Sequence, residues 1–258
     1  MLLTIDIGNT NILMSIFDDD KKVAFARMRT DTLKTSEEYA VLIKNILHLK
    51  EISRAYIDGA IISSVVPALQ TTFRRAIHML CGVKALTVGP GLKTGLHINI
   101  DNPAQLGSDM VCVSVAALEK YPGDSIVVDL GTATTVSAVR ANGEFLGCSI
   151  LPGIRISLEA LASRAAQLQQ IDLSVEPKAV IGKNTVDSMT SGILYGNAAM
   201  VDGMVDRYKE VMGGDPAVII TGGNSSTIAN LCRCKVIADP DLLIDGLRIL
   251  YHKNKKTR

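Results

Sequence analysis

The sequence contains no tryptophan, and only 4% of its 258 residues are aromatic. It also lacks an excess of either charge, since 27 basic and 26 acidic residues leave a formal net charge of +1 at pH 7. A nearly neutral chain lacks the electrostatic attraction on which nucleic-acid and membrane-surface binding depend, so neither partner is expected. Hydrophobic residues make up 47% of the chain, which is typical of a globular protein with one large or two medium domains.

The chain has few cysteines and no long apolar run. No apolar segment approaches 18 residues without a charge or a breaker, so neither a signal peptide nor a membrane span is expected, and we predict a cytoplasmic protein. The Cys232-Arg-Cys234 spacing is too tight for the usual zinc-binding pair of cysteines, and no histidine is close to it in sequence. We therefore expect reduced thiols at all five positions, which are Cys81, Cys112, Cys148, Cys232 and Cys234.

Two common nucleotide-binding motifs are missing as well. No GxxxxGK[ST] sequence occurs, and Gly89–Gly95 (GPGLKTG) resembles such a loop only superficially. No GxGxxG sequence opens a helix after the first predicted strand. A P-loop and a Rossmann dinucleotide site are therefore both excluded as interpretations.

Instead, the chain carries two similar turns that are rich in small polar residues. In MLLTIDIGNTNILMSIF an apolar run leads into Asp6, Gly8 and Asn9, and a second apolar run follows. In SIVVDLGTATTVSAV the same order recurs around Asp129 and Gly131. The repetition indicates a duplicated architecture in which each half reads β-β-β-α-β-α, which places the protein in the α/β class.

The predicted segments follow from residue propensity and hydrophobic period, with a helical insert around residues 107–120 between the halves. The predicted strands are 1–6, 12–17, 22–28, 59–66, 84–88, 126–129, 134–139, 144–151 and 217–221. Helices are predicted from Ser36, over 69–80, 156–169 and 187–212, and at the C-terminal end.

The two turns have the chemistry of a phosphate site. A glycine-containing turn presents several backbone N–H groups in one direction, asparagine and threonine side chains add donors, and a neighbouring carboxylate can hold a hard cation. Plain hairpin chemistry explains either turn alone equally well, because asparagine and glycine suit tight turns. The pair favours phosphate binding, and we expect the two turns to face each other across a cleft and hold the phosphates of a nucleotide.

This combination resembles the phosphate-binding fold of actin, Hsp70 and the sugar kinases, and within it the chain is similar to the type III pantothenate kinases over nearly its full length. The resemblance implies two duplicated ribonuclease H-like domains, which we place at residues 1–118 and 119–258. The matching motifs are Asp6–Asn11, Ser64–Pro67, Asp101–Pro103, Gly107–Asp109, Asp129–Thr135, Leu151–Gly153, Lys183–Thr185, Ser188–Met189 and Thr221–Gly223.

The resemblance implies transfer of the γ-phosphoryl group of ATP to the primary hydroxyl of pantothenate, the first step of coenzyme A biosynthesis. It gives Asp6 the role of organising Mg²⁺, and Asp129 that of holding a monovalent cation, K⁺ or NH₄⁺. The residues expected to contact ATP are Asp6, Gly8, Asn9, Thr10, Asn11, Leu13, Gly131 and Thr132.

The resemblance makes Asp109 the expected general base, a role in which its carboxylate would accept the hydroxyl proton as the phosphoryl group is transferred. An ordinary helix N-cap is the alternative explanation for an aspartate at this position. The resemblance also implies a homodimer in which Thr185 reaches the substrate of the partner subunit. The expected pantothenate contacts are Ile100, Gly107, Ser108, Asp109, Met110 and Thr185.

Three positions depart from the family pattern. Met110 stands where the family has arginine, Ile100 where an aromatic residue is common, and Ser137 where aspartate is common, whereas the change of alanine to Ser108 is mild. Loss of the arginine removes a forked cation near an anionic substrate. One interpretation is a working kinase in which another cation compensates; the candidates are Lys93, Arg155 and Lys183.

The other interpretation is a degenerate nucleotide-binding homologue with a regulatory, accessory-factor role. Retention of the carboxylates Asp6, Asp109 and Asp129 favours the enzyme, because a decayed site would lose them as readily as an arginine. A kinase of the same fold for a sugar or acetate would not be expected to share the Asn-Pro…Gly-x-Asp segment. A DNA-binding regulator is disfavoured by the near-zero charge.

Overall fold

A computed structural model describes residues 1–165, 168, 170–173 and 177–255. The chain folds into two compact units, each a mixed sheet flanked by helices. The predicted helix at 156–169 is observed as Ile154–Arg164, and residues 166, 167 and 169 of that prediction lie outside the described part, as do residues 256–258.

The other predicted segments are observed within a few residues of their expected bounds, and two short strands that were not predicted are observed at His97–Ile98 and Ile237–Ala238. The strands are β1 Leu2–Ile7, β2 Asn11–Asp18, β3 Lys21–Arg29, β4 Gly59–Ser64, β5 Leu86–Thr87, β6 His97–Ile98, β7 Ser125–Leu130, β8 Ala133–Val139, β9 Glu144–Pro152, β10 Ala217–Gly222 and β11 Ile237–Ala238. The helices are α1 Ser36–Leu49, α2 Pro67–Cys81, α3 Ser108–Lys120, α4 Ile154–Arg164, α5 Thr185–Met212, α6 Ser225–Leu231 and α7 Leu242–Asn254.

The first unit comprises Met1–Gly95, Asp101–Ala116 and Leu243–Arg258. Its sheet has the order β3-β2-β1-β4-β5, with β1 antiparallel to β2 and parallel to β4. Alternate residues of β1 and β2 pack with α1 and α2 in one apolar core, because successive side chains of a strand point to opposite faces. That core includes Leu3, Ile5, Ile7, Ile12, Met14, Ile16, Tyr39, Ile43, Phe73 and Ile77.

Local sequence signals set the ends of the helices in this core. Thr35 caps α1 through a capping box, in which its side chain accepts the Glu38 N–H and the Glu38 carboxylate accepts the Thr35 N–H. Pro67 starts α2, where its missing N–H costs no helical hydrogen bond, and Gly82 ends it in the left-handed conformation.

The second unit comprises Leu96–Ile100 and Ala117–Leu242. Its sheet has the order β11-β10-β7-β8-β9-β6, and one face of β7, β8 and β10 packs with α4, α5 and α6. Residues of this core include Ile126, Val128, Val136, Leu158, Ile193, Leu194, Val201, Val205 and Ile220.

The two sheets show that the architecture is duplicated. The order β3-β2-β1-β4-β5 of the first sheet corresponds to β9-β8-β7-β10-β11 in the second, which carries β6 as an additional strand. Asp6 and Asp129 each lie one residue before the last paired position of the first strand. The predicted α/β class and the shared register of the two aspartates are therefore confirmed.

The units divide the chain differently from the domains expected at 1–118 and 119–258. From Leu243 onwards the C-terminal helix α7 belongs to the first unit. Its Asn254 side chain exchanges two hydrogen bonds of 2.8 Å with the backbone of Lys93, and Arg248 pairs with Asp20. Two domains at residues 1–118 and 119–258 therefore stay a proposal.

Among the described helices, none is both long and apolar enough to cross a membrane.

Candidate active site

The first Asp-Gly turn lies at the end of the β1–β2 hairpin, and alternation along β1 directs Asp6 away from the core that Ile5 and Ile7 form with α1 and α2. Asp6 is 7% exposed, and it pairs with Leu13 across the hairpin and with Ser63 of β4 on its other side. Gly8 donates its N–H to the Asn11 carbonyl at 3.0 Å and so closes the turn. The hairpin thus brings together all the residues predicted around the ATP phosphates in this half, which are Asp6, Gly8, Asn9, Thr10, Asn11 and Leu13.

Asp109 is the second residue of α3, so it does not occupy the N-cap position that the alternative explanation required. Its Oδ1 accepts the backbone N–H of Met110 at 2.8 Å. Burial raises the pKa of the Asp109 carboxyl above its ordinary value of 3.8, and backbone hydrogen bonds offset part of this increase. A raised pKa makes the carboxylate a better proton acceptor, which is the property required of a general base.

Gly107 makes the observed position of the Asp109 carboxylate possible. A Cβ atom at residue 107 would lie 2.4 Å from the Asp109 Oδ1 atom, far inside van der Waals contact. Glycine at this position therefore lets the carboxylate fold back over the chain at the start of the helix. The Gly107-x-Asp109 spacing that the sequence singled out has a steric reason.

Ser108 attaches the start of α3 to the end of β4. Its Oγ lies 2.9 Å from the Ser63 Oγ and accepts the Ser64 N–H at 3.0 Å. Ser63 is the strand neighbour of Asp6, so this contact connects the predicted base with the strands that carry the first turn. From the sequence, Ser108 was interpreted as a mild replacement for alanine. Neither the hydrophobic pattern nor residue propensity predicts these hydrogen bonds.

Cys112 is a buried thiol on the same helix as Asp109. The thiol is fully buried, and its pKa is raised well above the usual value by burial and by the negative charges of the Asp6 and Asp109 carboxylates. Charge effects of this kind act over short distances in a protein interior. The Ser63–Ser108 contact brings the strand of Asp6 and the helix of Asp109 together, and Cys112 is a buried thiol of that helix that sequence reasoning missed.

The second turn is held by glycines from two other segments of the second unit. Asp129 pairs with Thr135 across the β7–β8 hairpin and with Thr221 of β10, and Gly131 and Thr132 are exposed at the turn. A Cβ atom on Gly153 would lie 2.1 Å from the Thr132 carbonyl oxygen. Gly222, at φ +96°, leaves room for Leu130 and Asp129.

These approaches explain two motifs that the sequence identified without a role, Leu151–Gly153 and Thr221–Gly223. Both supply a glycine where the backbone of the second turn lies too close for any side chain. The turn is therefore rigidly placed, which suits a site that must hold an ion or a nucleotide without rearrangement.

Thr185 is the first residue of α5, after the N-cap Asn184, whose side chain accepts the Asp187 N–H at 2.9 Å. It is exposed and lines a cavity of about 580 Å³ in the second unit. The other lining residues are Leu161, Leu168, Ser188, Met189, Gly192 and Ile193.

The three departures from the family pattern differ in their surroundings. Met110 is 7% exposed and follows the base directly, so it is an interior side chain of the first unit. Ile100 belongs to the second unit, where the preceding Asn99 bonds to the backbone of Phe145 and to the Glu144 carboxylate. Ser137 is 1% exposed, and its hydroxyl has no hydrogen-bond partner within the described part of the chain.

Comparison with known proteins adds independent information. The family model described as type III pantothenate kinase matches residues 2–207. A type III pantothenate kinase of Syntrophus aciditrophicus is 44% identical over 98% of this chain and 100% of its own. One from Bacillus cytotoxicus is 42% identical over 98% of this chain and 97% of its own.

Solved structures support the fold alone, because their sequence identities are low. A Campylobacter jejuni protein assigned to the Baf family of transcriptional activators is 20% identical with a TM-score of 0.59, covering 99% of this chain and 100% of that one. Component A of (R)-2-hydroxyglutaryl-CoA dehydratase from Acidaminococcus fermentans is 16% identical with a TM-score of 0.56, covering 98% of each chain. The expected fold class is confirmed. By its sequence and its two duplicated hairpins, the chain belongs to the type III pantothenate kinase family.

Proposed function

We propose that the protein transfers the γ-phosphoryl group of ATP to the primary hydroxyl of pantothenate and forms 4′-phosphopantothenate, the first step of coenzyme A biosynthesis. The observation that carries the proposal is that Ser108, beside Asp109, contacts Ser63, the strand neighbour of Asp6 at the phosphate turn, and that burial raises the pKa of Asp109. Family membership supplies the substrate, since the relatives over the full chain are type III pantothenate kinases.

In this proposal Asp109 accepts the proton of the pantothenate hydroxyl. Phosphoryl transfer depends mainly on positioning and on charge neutralisation, so the base must be fixed rather than mobile. Gly107 allows the carboxylate to fold back, the Met110 N–H holds it, and Ser108 fixes the helix start. These contacts give Asp109 one defined orientation.

The first turn fits a magnesium–nucleotide complex. ATP and Mg²⁺, when bound, supply the phosphoryl group and neutralise its charge. Magnesium usually takes one or two carboxylates and leaves the remaining positions to water and phosphate oxygens. Asp6 meets that need, and the described residues hold no cluster of three or more potential metal ligands, which a cage made only of protein would require.

The second turn is proposed to contact the nucleotide through Gly131 and Thr132 and to hold K⁺ or NH₄⁺ at Asp129. An oxygen-only donor set fits such a hard monovalent ion. A Cβ atom at Gly222 would lie 2.6 Å from the Leu130 carbonyl oxygen and 2.9 Å from the Asp129 Oδ1, so these two oxygen atoms lie near each other.

The substrate end is proposed to include Ile100, Gly107, Ser108, Met110 and Thr185, with Thr185 contributed across a homodimer. The interface is proposed to cover exposed apolar side chains near the start of α5 and on α4. They are Ile156, Leu161, Val180, Ile181 and Val186. Lys183 is exposed two residues before Thr185 and is the cation we propose in place of the family arginine, whereas Arg155 is paired with Glu159.

An ADP-release assay tests the proposal directly. With ATP, Mg²⁺ and K⁺ present, we expect pantothenate to stimulate ADP release, and tetramethylammonium in place of K⁺ to suppress it. ATP binding without stimulation by pantothenate would instead indicate the nucleotide-binding homologue with a regulatory role. If ADP release is unchanged by the cation exchange, the proposed monovalent-ion site at Asp129 is wrong.

A further inference from the structure

The carbonyl groups of the first turn are held by a residue outside the hairpin. The Thr30 hydroxyl donates to the Gly8 carbonyl at 2.6 Å, and the Thr30 N–H donates to the Thr10 carbonyl at 3.1 Å. Thr30 directly follows β3, which pairs with β2 up to Arg29 opposite Asn11. One residue therefore binds the carbonyls on both sides of Asn9.

This arrangement sets the direction of two backbone N–H groups. In a planar trans peptide the C=O and N–H bonds point in opposite directions, and the described backbone contains no cis peptide. Because the Gly8 and Thr10 carbonyls point toward Thr30, the N–H groups of Asn9 and Asn11 point away from it. Two backbone N–H groups presented on the same side of a turn are donors suited to an anion.

Thr30 is itself anchored to the core. The Tyr39 hydroxyl donates to the Asp31 carbonyl at 2.8 Å and accepts the Asp31 N–H at 3.1 Å. Tyr39 is fully buried, and its ring centroid lies 4.3 Å from that of Phe73. The Asp31 carboxylate also pairs with Lys34 at 2.7 Å. The segment that carries Thr30 is therefore fixed from both the core and the surface.

We propose that Thr30 is a positioning residue for nucleotide binding: it orients the backbone N–H groups of Asn9 and Asn11 toward the phosphates of ATP. The inference rests on the nucleotide-binding role of that turn in the proposed function. Thr30 acts through the turn and not on the substrate. Its loss is therefore expected to weaken nucleotide binding and to leave the pantothenate site unchanged.

Thr30→Val tests this role, because valine keeps the shape of threonine and removes the hydroxyl. We expect binding of a non-hydrolysable ATP analogue with Mg²⁺, measured by calorimetry, to weaken about 3- to 10-fold, the usual effect of one lost hydrogen bond. The KM for ATP is expected to rise in proportion, with the KM for pantothenate unchanged. Thr30→Ser keeps the hydroxyl and should bind within about 2-fold of wild type.

Two further variants separate positioning from stability. Thr72→Val makes the same change at a half-buried position of α2 and should leave binding unchanged. Tyr39→Phe keeps the ring on Phe73 but releases Asp31, so we expect analogue binding to weaken about 2- to 5-fold. Tyr39→Phe keeps the test valid if Thr30→Val fails to fold.

Unchanged analogue binding in folded Thr30→Val would overturn the inference, and so would equal increases in the KM values for ATP and pantothenate. If the wild-type protein binds the analogue but pantothenate stimulates no ADP release, the proposed function fails while the role of Thr30 is still decided by binding. If wild type does not bind the analogue, the nucleotide site and this inference are both overturned.

Discussion

Asp109 shows how single residues in this protein combine a local sequence pattern with a tertiary environment. The Gly-x-Asp spacing is visible in the sequence, and its steric reason is the approach of the carboxylate to Gly107. The raised pKa is not visible in the sequence, because it results from burial. Thr30 acquires its relation to the site only through Gly8, which is 22 residues away in the sequence.

Asp109→Asn is expected to lower kcat by about 10²- to 10⁴-fold, because the amide cannot accept the hydroxyl proton. Binding of the ATP analogue should persist, since the first turn is unchanged. Steady-state kinetics and calorimetry measure the two effects, and Asp206→Asn on the exposed surface of α5 is the matched control. Full turnover in Asp109→Asn would contradict the role of Asp109 as the general base.

The same variant should change stability in a pH-dependent way. The folded-state pKa of Asp109 is raised above 3.8, so the fold retains a proton that the unfolded chain has lost. The stability of the wild type therefore falls as the pH rises from about 3.8 through the folded-state pKa. We expect Asp109→Asn to raise Tm at pH 7 and to lose this advantage near pH 3.8 or below, as measured by thermal unfolding. An equal Tm difference at both pH values would contradict the pKa shift.

At the scale of elements, each predicted phosphate turn depends on segments that come from elsewhere in the chain. The first is held by the residue after β3, and the second by the glycines that end β10 and precede α4. Hairpin propensity predicts that a turn forms, but it does not predict which other backbone lies against it. That information comes from the order of strands in each sheet.

Gly222→Ala tests the support of the second turn. The new Cβ would lie 2.6 Å from the Leu130 carbonyl oxygen at a φ of +96°, so we expect a loss of about 2–5 kcal/mol in the free energy of unfolding. Because that Cβ would also lie 2.9 Å from the Asp129 Oδ1, a higher K⁺ concentration should be needed for half-maximal activity.

Gly223→Ala is the matched control for that change. A Cβ atom at residue 223 meets nothing within 4 Å, so we expect stability to change by no more than about 0.5 kcal/mol. Denaturant unfolding compares the two variants. Similar losses in both would show that the close approach at Gly222 does not determine stability.

At the scale of the whole molecule, activity is proposed to depend on a homodimer, because Thr185 would reach the substrate bound by the partner subunit. A stable interface buries about 800 Å² on each partner, so we expect the proposed interface to cover several neighbouring apolar side chains together. Val180 and Ile181 are 65% and 81% exposed and precede the helix that begins with Thr185. Their position gives a direct test of the dimer.

Ile181→Asp should convert the dimer to a monomer, because it places a charge in the proposed apolar interface. We expect sedimentation velocity to report the mass of a single chain for the variant and twice that mass for wild type. The KM for pantothenate should rise, since Thr185 of the partner would be lost. Leu49→Asp changes an equally exposed apolar residue of α1 and should remain dimeric. A monomeric wild type, or a dimeric Ile181→Asp variant with unchanged KM, would contradict the proposed interface.

The sequence by itself determined the α/β class, the duplication, nearly all of the strands and helices, and the family. These follow from short-range information, namely the period of apolar residues and the order of polar motifs. The short helix α4 was predicted less well, because its expected C-terminal end continued past the observed end at Arg164. Low hydrophobic contrast along that segment gave no clear stop.

Only the tertiary structure decided which residues share an environment. It placed α7 with the first unit, attached Ser108 to Ser63, the strand neighbour of Asp6, and joined Thr30 to the first turn. Each of these results depends on strand order and on packing between segments far apart in the chain. Hydrogen-bond partners and desolvation are properties of that packing, so local sequence patterns do not contain them.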